Sequence, residues 1–126
     1  MSQLIIRPAT AADIEAFSTM TDTPSIRGYV GEIDGRIIGM GGLAFARGWW
    51  FAFCNLTEEA RAHKMAIMRT AKRILAEARR DGIRFVYVER DPQEPRADVW
   101  LASLGFHLDP RSQHYFRWDA KDEWQH

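Results

Sequence analysis

The hydrophobic pattern of the first half of the chain predicts a strand, a helix and three further strands. The apolar run LIIR precedes Thr10, which is a suitable N-cap for a helix over AADIEAFSTM. Three β-rich runs follow, RGYVGEI, RIIGMGGLAF and WWFAFCNL, and the turn-forming pairs Asp34-Gly35 and Arg47-Gly48 separate them. This pattern predicts three consecutive antiparallel strands.

A long amphipathic helix is predicted over TEEARAHKMAIMRTAKRILAEARRDG. Its apolar residues recur at the spacing of one helix face, and Gly82 is suited to a left-handed C-terminal cap. The apolar face consists of Ile67, Met68, Ala71, Ile74, Leu75 and Ala78. The opposite face is rich in arginine, and we interpret it as a solvated surface.

The second half of the chain predicts an interior strand, a helix and two final strands. The run IRFVYVE is apolar at both alternating sets of positions, which is typical of a strand covered on both sides. We expect it to lie parallel to the strand that precedes the long helix. RADVWLASLGF predicts a helix with Val99, Trp100 and Leu104 facing inward, and strands are predicted over 106–109 and 113–119.

These elements define an α/β (α+β) fold in the order β-α-β-β-β-α-β-α-β-β. We expect a mixed, mostly antiparallel sheet with a central parallel pair and helices on both faces. A chain of 126 residues is expected to form a single domain over 1–126. Residues 120–126 are polar and terminal, and we expect them to be a mobile tail.

Charge composition narrows the classes of partner. The chain has 17 basic and 17 acidic residues, so it offers no overall field for a polyanion, and we do not expect nucleic acid or an anionic membrane as a partner. Arginine nevertheless outnumbers lysine by 14 to 3. This bias permits paired recognition of carboxylate or phosphate groups without proving it.

A single cysteine, Cys54, excludes intramolecular disulfides and cysteine-based metal clusters, and no metal site is predicted. Its position in WWFAFCNL favours a buried, inert thiol. The sequence shows neither a signal peptide nor an apolar run of about 20 residues that could span a membrane. We therefore expect a soluble protein in the cytoplasm.

Three local patterns resemble the GCN5-related N-acetyltransferase (GNAT) family. The opening IIRPATAADIEAF is similar to the family's first strand and helix, YVGEIDGRIIGMGGLAF to its hairpin, and EPRADVWLASLGFHLD to its last helix and following strand. The resemblance covers about residues 4–119. It implies the GNAT fold and an N-acyltransferase that moves an acetyl or other acyl group from acyl-CoA to an amine acceptor.

The resemblance also implies where acetyl-CoA binds. The family's pyrophosphate loop, Gln/Arg-x-x-Gly-x-Gly/Ala, aligns with the segment RAHKMA, while Asn55 and Leu56 align with the strand end that holds the pantetheine arm. The implied pyrophosphate contacts are Arg61, His63, Lys64, Met65 and Ala66.

Lys64 replaces the loop's central glycine. A lysine Cβ obstructs close backbone approach and disfavours a positive φ, although its ammonium group could bind phosphate instead. Glu58 and Glu59 add negative charge just before the loop, and Thr57 is a good N-cap for a helix that begins earlier than in the family. Such a helix would take up the residues of the phosphate loop.

The catalytic positions are incompletely matched. The family commonly has a tyrosine where this chain has Leu101, which cannot donate a proton. Glu89 is a candidate general base, although pairing with Arg90 or Arg96 is an equally good interpretation. Tyr115 is a weaker candidate acid, and His63 is a titratable residue in the loop.

Two further hypotheses stay open at the level of sequence. The short segment between the first helix and Arg27 predicts an open acceptor side, which would suit a protein acceptor or a partner surface. The pattern HKMAIMRTAKRILAEARRDG…RADVWLASLGF also resembles short GNAT-like proteins of phage and prophage clusters. That resemblance implies a phage particle as partner and the virion as location. The replaced family positions, Lys64 and Leu101, leave open a degenerate, non-catalytic GNAT-fold binding or structural module as the alternative function, and a homodimer is a further open partner.

Overall fold

The computed structural model describes residues 3–17, 25–89, 95–112 and 114–120. Within these ranges seven strands form one sheet in the order β1-β2-β3-β4-β5-β7-β6. β4 and β5 are parallel, and the other neighbouring strands are antiparallel. The elements are β1 Ile5–Pro8, α1 Ala11–Phe17, β2 Ser25–Ile33, β3 Arg36–Ala46, β4 Trp49–Leu56, α2 Glu58–Arg61, α3 Lys64–Arg80, β5 Phe85–Glu89, α4 Pro95–Ser103, β6 Phe106–Leu108 and β7 Tyr115–Asp119. The predicted fold class is confirmed.

Two tight turns connect β2, β3 and β4. Both central residues of each turn have positive φ, 53° and 78° at Asp34 and Gly35, and 55° and 85° at Arg47 and Gly48. This is the conformation of the two-residue hairpin turn whose twist matches that of paired strands. The predicted antiparallel meander is therefore confirmed, and its turns are the predicted ones.

α3 and α4 cover one face of the sheet. Leu75 and Ala78 of α3 and Leu101 of α4 are buried in one cluster with residues of β3, β5, β6 and β7. The sheet side of this cluster consists of Leu43, Val86, Phe106, Phe116 and Trp118. Val86 alternates with Tyr87 along β5, so the buried Tyr87 points to the opposite face.

α1 lies on the opposite face. Arg7 of β1 pairs with Val30 of β2, and Val30 pairs with Met40 of β3, so these three side chains share a face. Met40 and Leu43 are three positions apart in one strand and therefore point to different faces. Arg7 binds Asp13 of α1 at 2.6 Å, which places α1 on the face away from α3. The prediction of helices on both faces is confirmed.

The predicted single long helix is wrong, because the chain breaks between α2 and α3. Thr57 is tied to β3: its amide and its hydroxyl both donate to the carbonyl oxygen of Ile38, at 3.0 and 2.7 Å. The same hydroxyl accepts from the amide of Ala60, so it caps α2. Ala60 is buried against Ile38, whereas α3 packs on the other core cluster. The chain changes direction between the two at His63, which has a ψ of 49°.

α4 differs from its prediction in one residue. Val99 was expected to face inward but is 74% exposed. Leu101 is buried, and Trp100 and Leu104 pack beside it against the main core cluster. The inward face is thus offset by one residue, since positions 100, 101 and 104 already form a complete apolar stripe on this short helix.

The last two strands are shorter than predicted. β6 ends at Leu108 rather than 109, and β7 begins at Tyr115, while residue 113 lies outside the described residues. Ala120 was predicted to begin the tail, but its amide donates to Arg84 at 2.9 Å and its carbonyl accepts from Arg79 at 3.2 Å. The rest of the predicted tail, 121–126, and the segment 18–24 on the predicted acceptor side also lie outside the described residues. No helix among the described residues is long and apolar enough to cross a membrane.

The N-terminus of α1 is fixed by a buried carboxylate. Asp13 accepts from the amide and hydroxyl of Thr10 at 2.8 and 2.9 Å, and its own amide donates to the Thr10 hydroxyl. These reciprocal bonds form a capping box, and Arg7 adds two further donors to the carboxylate. Hydrogen bonds from Arg7 and Thr10 hold the pKa of Asp13 far below its usual range.

A close approach of backbones joins β2 and β3. Gly28 pairs with Gly42, and a Cβ at Gly28 would lie 2.7 Å from the carbonyl oxygen of Gly41. A Cβ at Gly42 would overlap the carbonyl oxygen of Arg27. Only glycine therefore fits this pair.

We predict that Gly42→Ala lowers the free energy of unfolding by about 3 kcal/mol, since the overlap with Arg27 is with rigid backbone. Gly41→Ala is the matched control, because its Cβ would lie 3.4 Å from the nearest atom, the Phe53 oxygen. We expect the control to change stability by less than about 1 kcal/mol. Urea unfolding measures both, and equal stabilities would contradict the close approach.

We predict that Asp13→Asn destabilises the protein at pH 7 and that the difference from the parent shrinks as the pH falls. The pKa of Asp13 is lowered on folding, so its ionised form stabilises the fold above the unfolded pKa of about 4. That contribution is lost progressively towards the lower folded pKa. Urea unfolding from pH 7 to pH 2 measures the difference, with Glu15→Gln on the exposed side of α1 as control. A difference independent of pH would refute this account.

Candidate cofactor-binding site

β4 and β5 diverge at the centre of the sheet. Their parallel pairing is confined to Phe51 and Tyr87, although β4 continues to Leu56 and β5 to Glu89. Past Phe51, β4 is paired only with β3. The edge of β4 that faces β5 therefore has backbone amide and carbonyl groups that no described strand uses.

A cavity of about 150 Å³ lies between this part of the sheet and the helices α3 and α4. Residues of β4, β5 and both helices line it, among them Cys54, Leu56, Ile67, Ala71, Val88 and Trp100. Because Cys54 of β4 and Val88 of β5 are both part of its wall, the cavity borders the opening between the two strands. His63 also lines the cavity and places the start of α3 at its rim.

α3 begins there without a side-chain cap. His63 occupies the N-cap position but its side chain accepts no capping hydrogen bond, and the first turn contains no acidic residue. The first bond within the helix runs from the amide of Ile67 to the carbonyl oxygen of His63. The preceding amides, those of Lys64, Met65 and Ala66, have no partner within the helix. Such a helix start attracts anions through its free amides and its dipole.

The charged residues around the start of α3 also favour the binding of an anion there. Arg61 and Lys64 are exposed, and the acidic Glu59 is turned away to β3, where Arg36 donates to both its oxygens at 3.1 and 3.2 Å. Bonding to Arg36 lowers the pKa of Glu59. The negative charge that the sequence places before the loop is thus largely compensated at Glu59, while Glu58 is exposed.

The structure changes the interpretation of Lys64. In the described part of the chain, the non-glycine residues with positive φ are Asp34 and Arg47, so Lys64 has ordinary helical backbone. A glycine at this position is not needed for its conformation. The expectation that an early helix would take up the phosphate loop is also wrong, because α2 ends at Arg61 and leaves the start of α3 open. Met65, 72% exposed, lies in that first turn.

Asn55 and Leu56 are the last two residues of β4. They pair with Met40 and Gly39 of β3. The carbonyl oxygen of Asn55 lies on the β3 side, so the backbone groups of its neighbours Cys54 and Leu56 face the opening. Glu89 and Tyr115 are brought together, since they are direct partners in the β5–β7 ladder and project to the same side.

Glu89 and Tyr115 lie on the face opposite the cavity, because Val88, the neighbour of Glu89, packs with the α3 and α4 cluster. The Tyr115 ring is 6.3 Å from that of Phe51, at the point where β4 and β5 separate. The opening therefore joins a cavity on one face to the two candidate catalytic side chains on the other. Arg90, a predicted partner of Glu89, lies outside the described residues. Leu101 is buried in the core and donates no proton to either face.

The sequence analysis did not predict the position of Cys54. It was expected to be buried, but it is exposed and lines the cavity. Surrounding protein atoms nevertheless desolvate the thiol and raise its pKa to about 11, while the charge of Arg61 offsets part of this effect. The described residues include no cluster of histidine, cysteine or acidic side chains that could hold a metal ion.

No protein-family model and no curated protein matches the chain. Solved structures do match, although at low sequence identity. The ribosomal-protein-S18-alanine N-acetyltransferase from Escherichia coli has a TM-score of 0.69 at 9% identity over 94% of each chain. An N-acetyltransferase from Staphylococcus aureus Mu50 has a TM-score of 0.70 at 16% identity, over 95% of this chain and 100% of that one.

A third similar structure has coenzyme A bound. N-acetylglutamate synthase from Neisseria gonorrhoeae, complexed with coenzyme A and L-arginine, has a TM-score of 0.62 at 17% identity, over 92% of this chain and 33% of that one. These structural neighbours are GNAT-family N-acetyltransferases, and the sheet with its single parallel pair matches theirs. The chain therefore has the GNAT fold.

We predict that Cys54 is alkylated by iodoacetamide at pH 8 more than about a hundredfold more slowly than a free cysteine. Its pKa of about 11 leaves roughly one thiol in a thousand ionised at that pH. Cys54 is the single cysteine of the chain, so mass spectrometry of the whole protein follows it directly. The same reaction in urea is the control and should proceed at the free rate. Fast labelling of the folded protein would contradict the desolvated position.

Proposed function

We propose that this protein is an N-acyltransferase of the GNAT type, which transfers an acyl group from acyl-CoA to an amine acceptor. The observation that carries the proposal is the opening between β4 and β5, which lies beside the uncapped start of α3. An extended chain with an anionic group at one end fits this combination. Two similar structures named as N-acetyltransferases, and that of an N-acetylglutamate synthase complexed with coenzyme A, support it.

The start of α3 would hold the pyrophosphate of the donor. The free amides of Lys64, Met65 and Ala66 can donate to phosphate oxygens, and the helix dipole favours the same charge. Arg61 and Lys64 are exposed beside them and can add charge-assisted hydrogen bonds. The lysine that replaces the family's glycine is thus a second source of phosphate binding.

The free edge at the end of β4, around Asn55, would hold the pantetheine arm, whose amides can pair with the outward-facing backbone groups of Cys54 and Leu56 as a neighbouring strand does. The thioester then lies near Phe51, where the opening closes. Acyl-CoA supplies an activated carbonyl: the amine nitrogen bonds to the carbonyl carbon, the carbon–sulfur bond breaks, and the amine proton lost is balanced by one gained at sulfur.

Glu89 and Tyr115 would serve the acceptor side of this reaction. They project together from the face opposite the cavity, so an amine can approach the thioester from their side. Glu89 is suited to accept the amine proton and Tyr115 to donate one to the departing sulfur. Orientation in the opening supplies the rest of the rate enhancement, since a neutral amine attacks a thioester directly once it is positioned.

A non-catalytic binding module is the second candidate. It is favoured by one observation, namely that Leu101 is part of the core at the position where the family commonly has its acid. In this module the cofactor groove is closed or reused, so it differs from the enzyme in acyl-CoA binding as well as in turnover. The homodimer and the phage-particle partner stay predictions.

We predict that acetyl-CoA or CoA at 100 times its dissociation constant raises the midpoint of thermal unfolding by about 10 °C. Such occupancy adds about 2.7 kcal/mol of apparent stability, and a domain of this size converts each kcal/mol into several degrees. Differential scanning fluorimetry with 1 to 10 mM ligand would measure it. The absence of a shift with any acyl-CoA would refute the proposed function.

Charge reversal tests the phosphate position in the same assay. Lys64→Glu should weaken CoA binding by about tenfold or more, because it replaces a donor by a repelling charge at the helix start. Lys72→Glu is the matched control, since it makes the same change on the exposed side of α3 away from the cavity. Equal effects of the two variants would rule out a specific role for Lys64. Release of CoA thiol with a panel of amines then distinguishes the enzyme from the binding module.

A further inference from the structure

The cavity beneath α3 exists because small residues face each other across it. Gly41 lies on the face of β3 that also carries Leu43, which packs in the α3 cluster, and Ala71 lies on α3. Gly41 pairs with Cys54 of β4, whose side chain is also short. The longer side chains of the wall, among them Ile67 and Ile74, do not fill the space that these short residues leave between sheet and helix.

The polar side chains that line the cavity are mostly engaged elsewhere. The hydroxyl of Tyr29 donates to Glu77 at 2.5 Å, and that of Thr70 donates to the carbonyl oxygen of Ala66 at 2.8 Å. Aliphatic side chains and glycine backbone make up most of the remaining wall. A stable water needs two to four polar partners, so this cavity favours an apolar occupant.

The cavity is accessible from the proposed thioester position. Its wall includes Phe53 and Cys54 of β4 and Val88 of β5, which flank the opening between these strands. Cys54 is exposed, so the cavity is not sealed there. An apolar chain attached to a thioester near Phe51 can therefore turn into the space under α3.

We propose that this cavity binds the acyl chain of the donor and that the preferred donor carries an apolar chain of about four to six carbons rather than acetyl. The size follows from the volume: an apolar cavity of about 150 Å³ accommodates a six-carbon molecule such as benzene. This inference rests on the proposed function, because it assigns the substrate class of that same site.

A series of acyl-CoA thioesters tests the proposal. The dissociation constants of acetyl-, butyryl-, hexanoyl- and decanoyl-CoA are measured by isothermal titration calorimetry. We expect affinity to rise by up to about fourfold for each methylene added up to hexanoyl, because each enters an apolar space, and to rise no further at decanoyl.

Filling the cavity should remove the chain-length preference. Ala71→Leu places a larger side chain in the space under α3, while Ala76→Leu makes the same change on the exposed side of the helix. We expect Ala71→Leu to bind hexanoyl-CoA no more tightly than acetyl-CoA while its affinity for CoA stays within about twofold. Ala76→Leu should keep the preference of the parent. Circular dichroism confirms that both variants are folded.

The comparison of CoA esters separates failure of this proposal from failure of the proposed function, and benzene tests the cavity by itself. If CoA binds and acetyl- and hexanoyl-CoA bind equally well, the acyl-chain proposal is overturned and the proposed function stands. If no CoA ester binds, both are overturned. A rise in the unfolding midpoint with benzene, absent in Ala71→Leu, would then show that the cavity binds apolar molecules unrelated to a donor.

Discussion

The pairing of Phe51 with Tyr87 joins the two halves of the sheet. On one side β1 to β4 form an antiparallel meander, and on the other β5, β7 and β6 form a second antiparallel group. The candidate site depends on the fact that this pairing stops where it does. If it continued in the same register, Glu89 would lie beside Phe53, the backbone edge of β4 next to Phe53 would be used, and the opening would begin later along β4.

β4 and β5 are each paired on their other edge along a longer ladder. β4 pairs with β3 along its whole length to Leu56, and Thr57 adds two hydrogen bonds to β3 just beyond. β5 pairs with β7 to its last residue, Glu89. At the junction the Tyr87 ring contacts Trp49 at 5.4 Å and Phe51 at 6.3 Å, which fixes the point of divergence by aromatic packing. Beyond this junction each strand stays paired on its other edge alone, and the opening lies between them.

Local sequence patterns correctly predicted the structural features that depend on residues close together in the sequence. The turn at Asp34 and the interior position of β5 follow from short-range chemistry and composition, and the structure confirms them. The break at His63 could not be predicted, because every residue from Arg61 to Ala66 is compatible with a helix and the cause is a bond from Thr57 to a distant strand. The site shows the same division. The loop residues of the candidate site could be identified from a sequence motif. The exposure of Cys54 could not, because it depends on the register of the strands.

Two consecutive glycines of β3, Gly41 and Gly42, have opposite effects on packing. Gly42 faces away from α3, where a Cβ would overlap the backbone of β2, so its absence permits close packing. Gly41 faces α3, where the missing side chain contributes to the cavity. An apolar ligand in this space would remove the lining side chains from water, so ligand binding and folding stability are coupled through the face of β3 that carries Gly41.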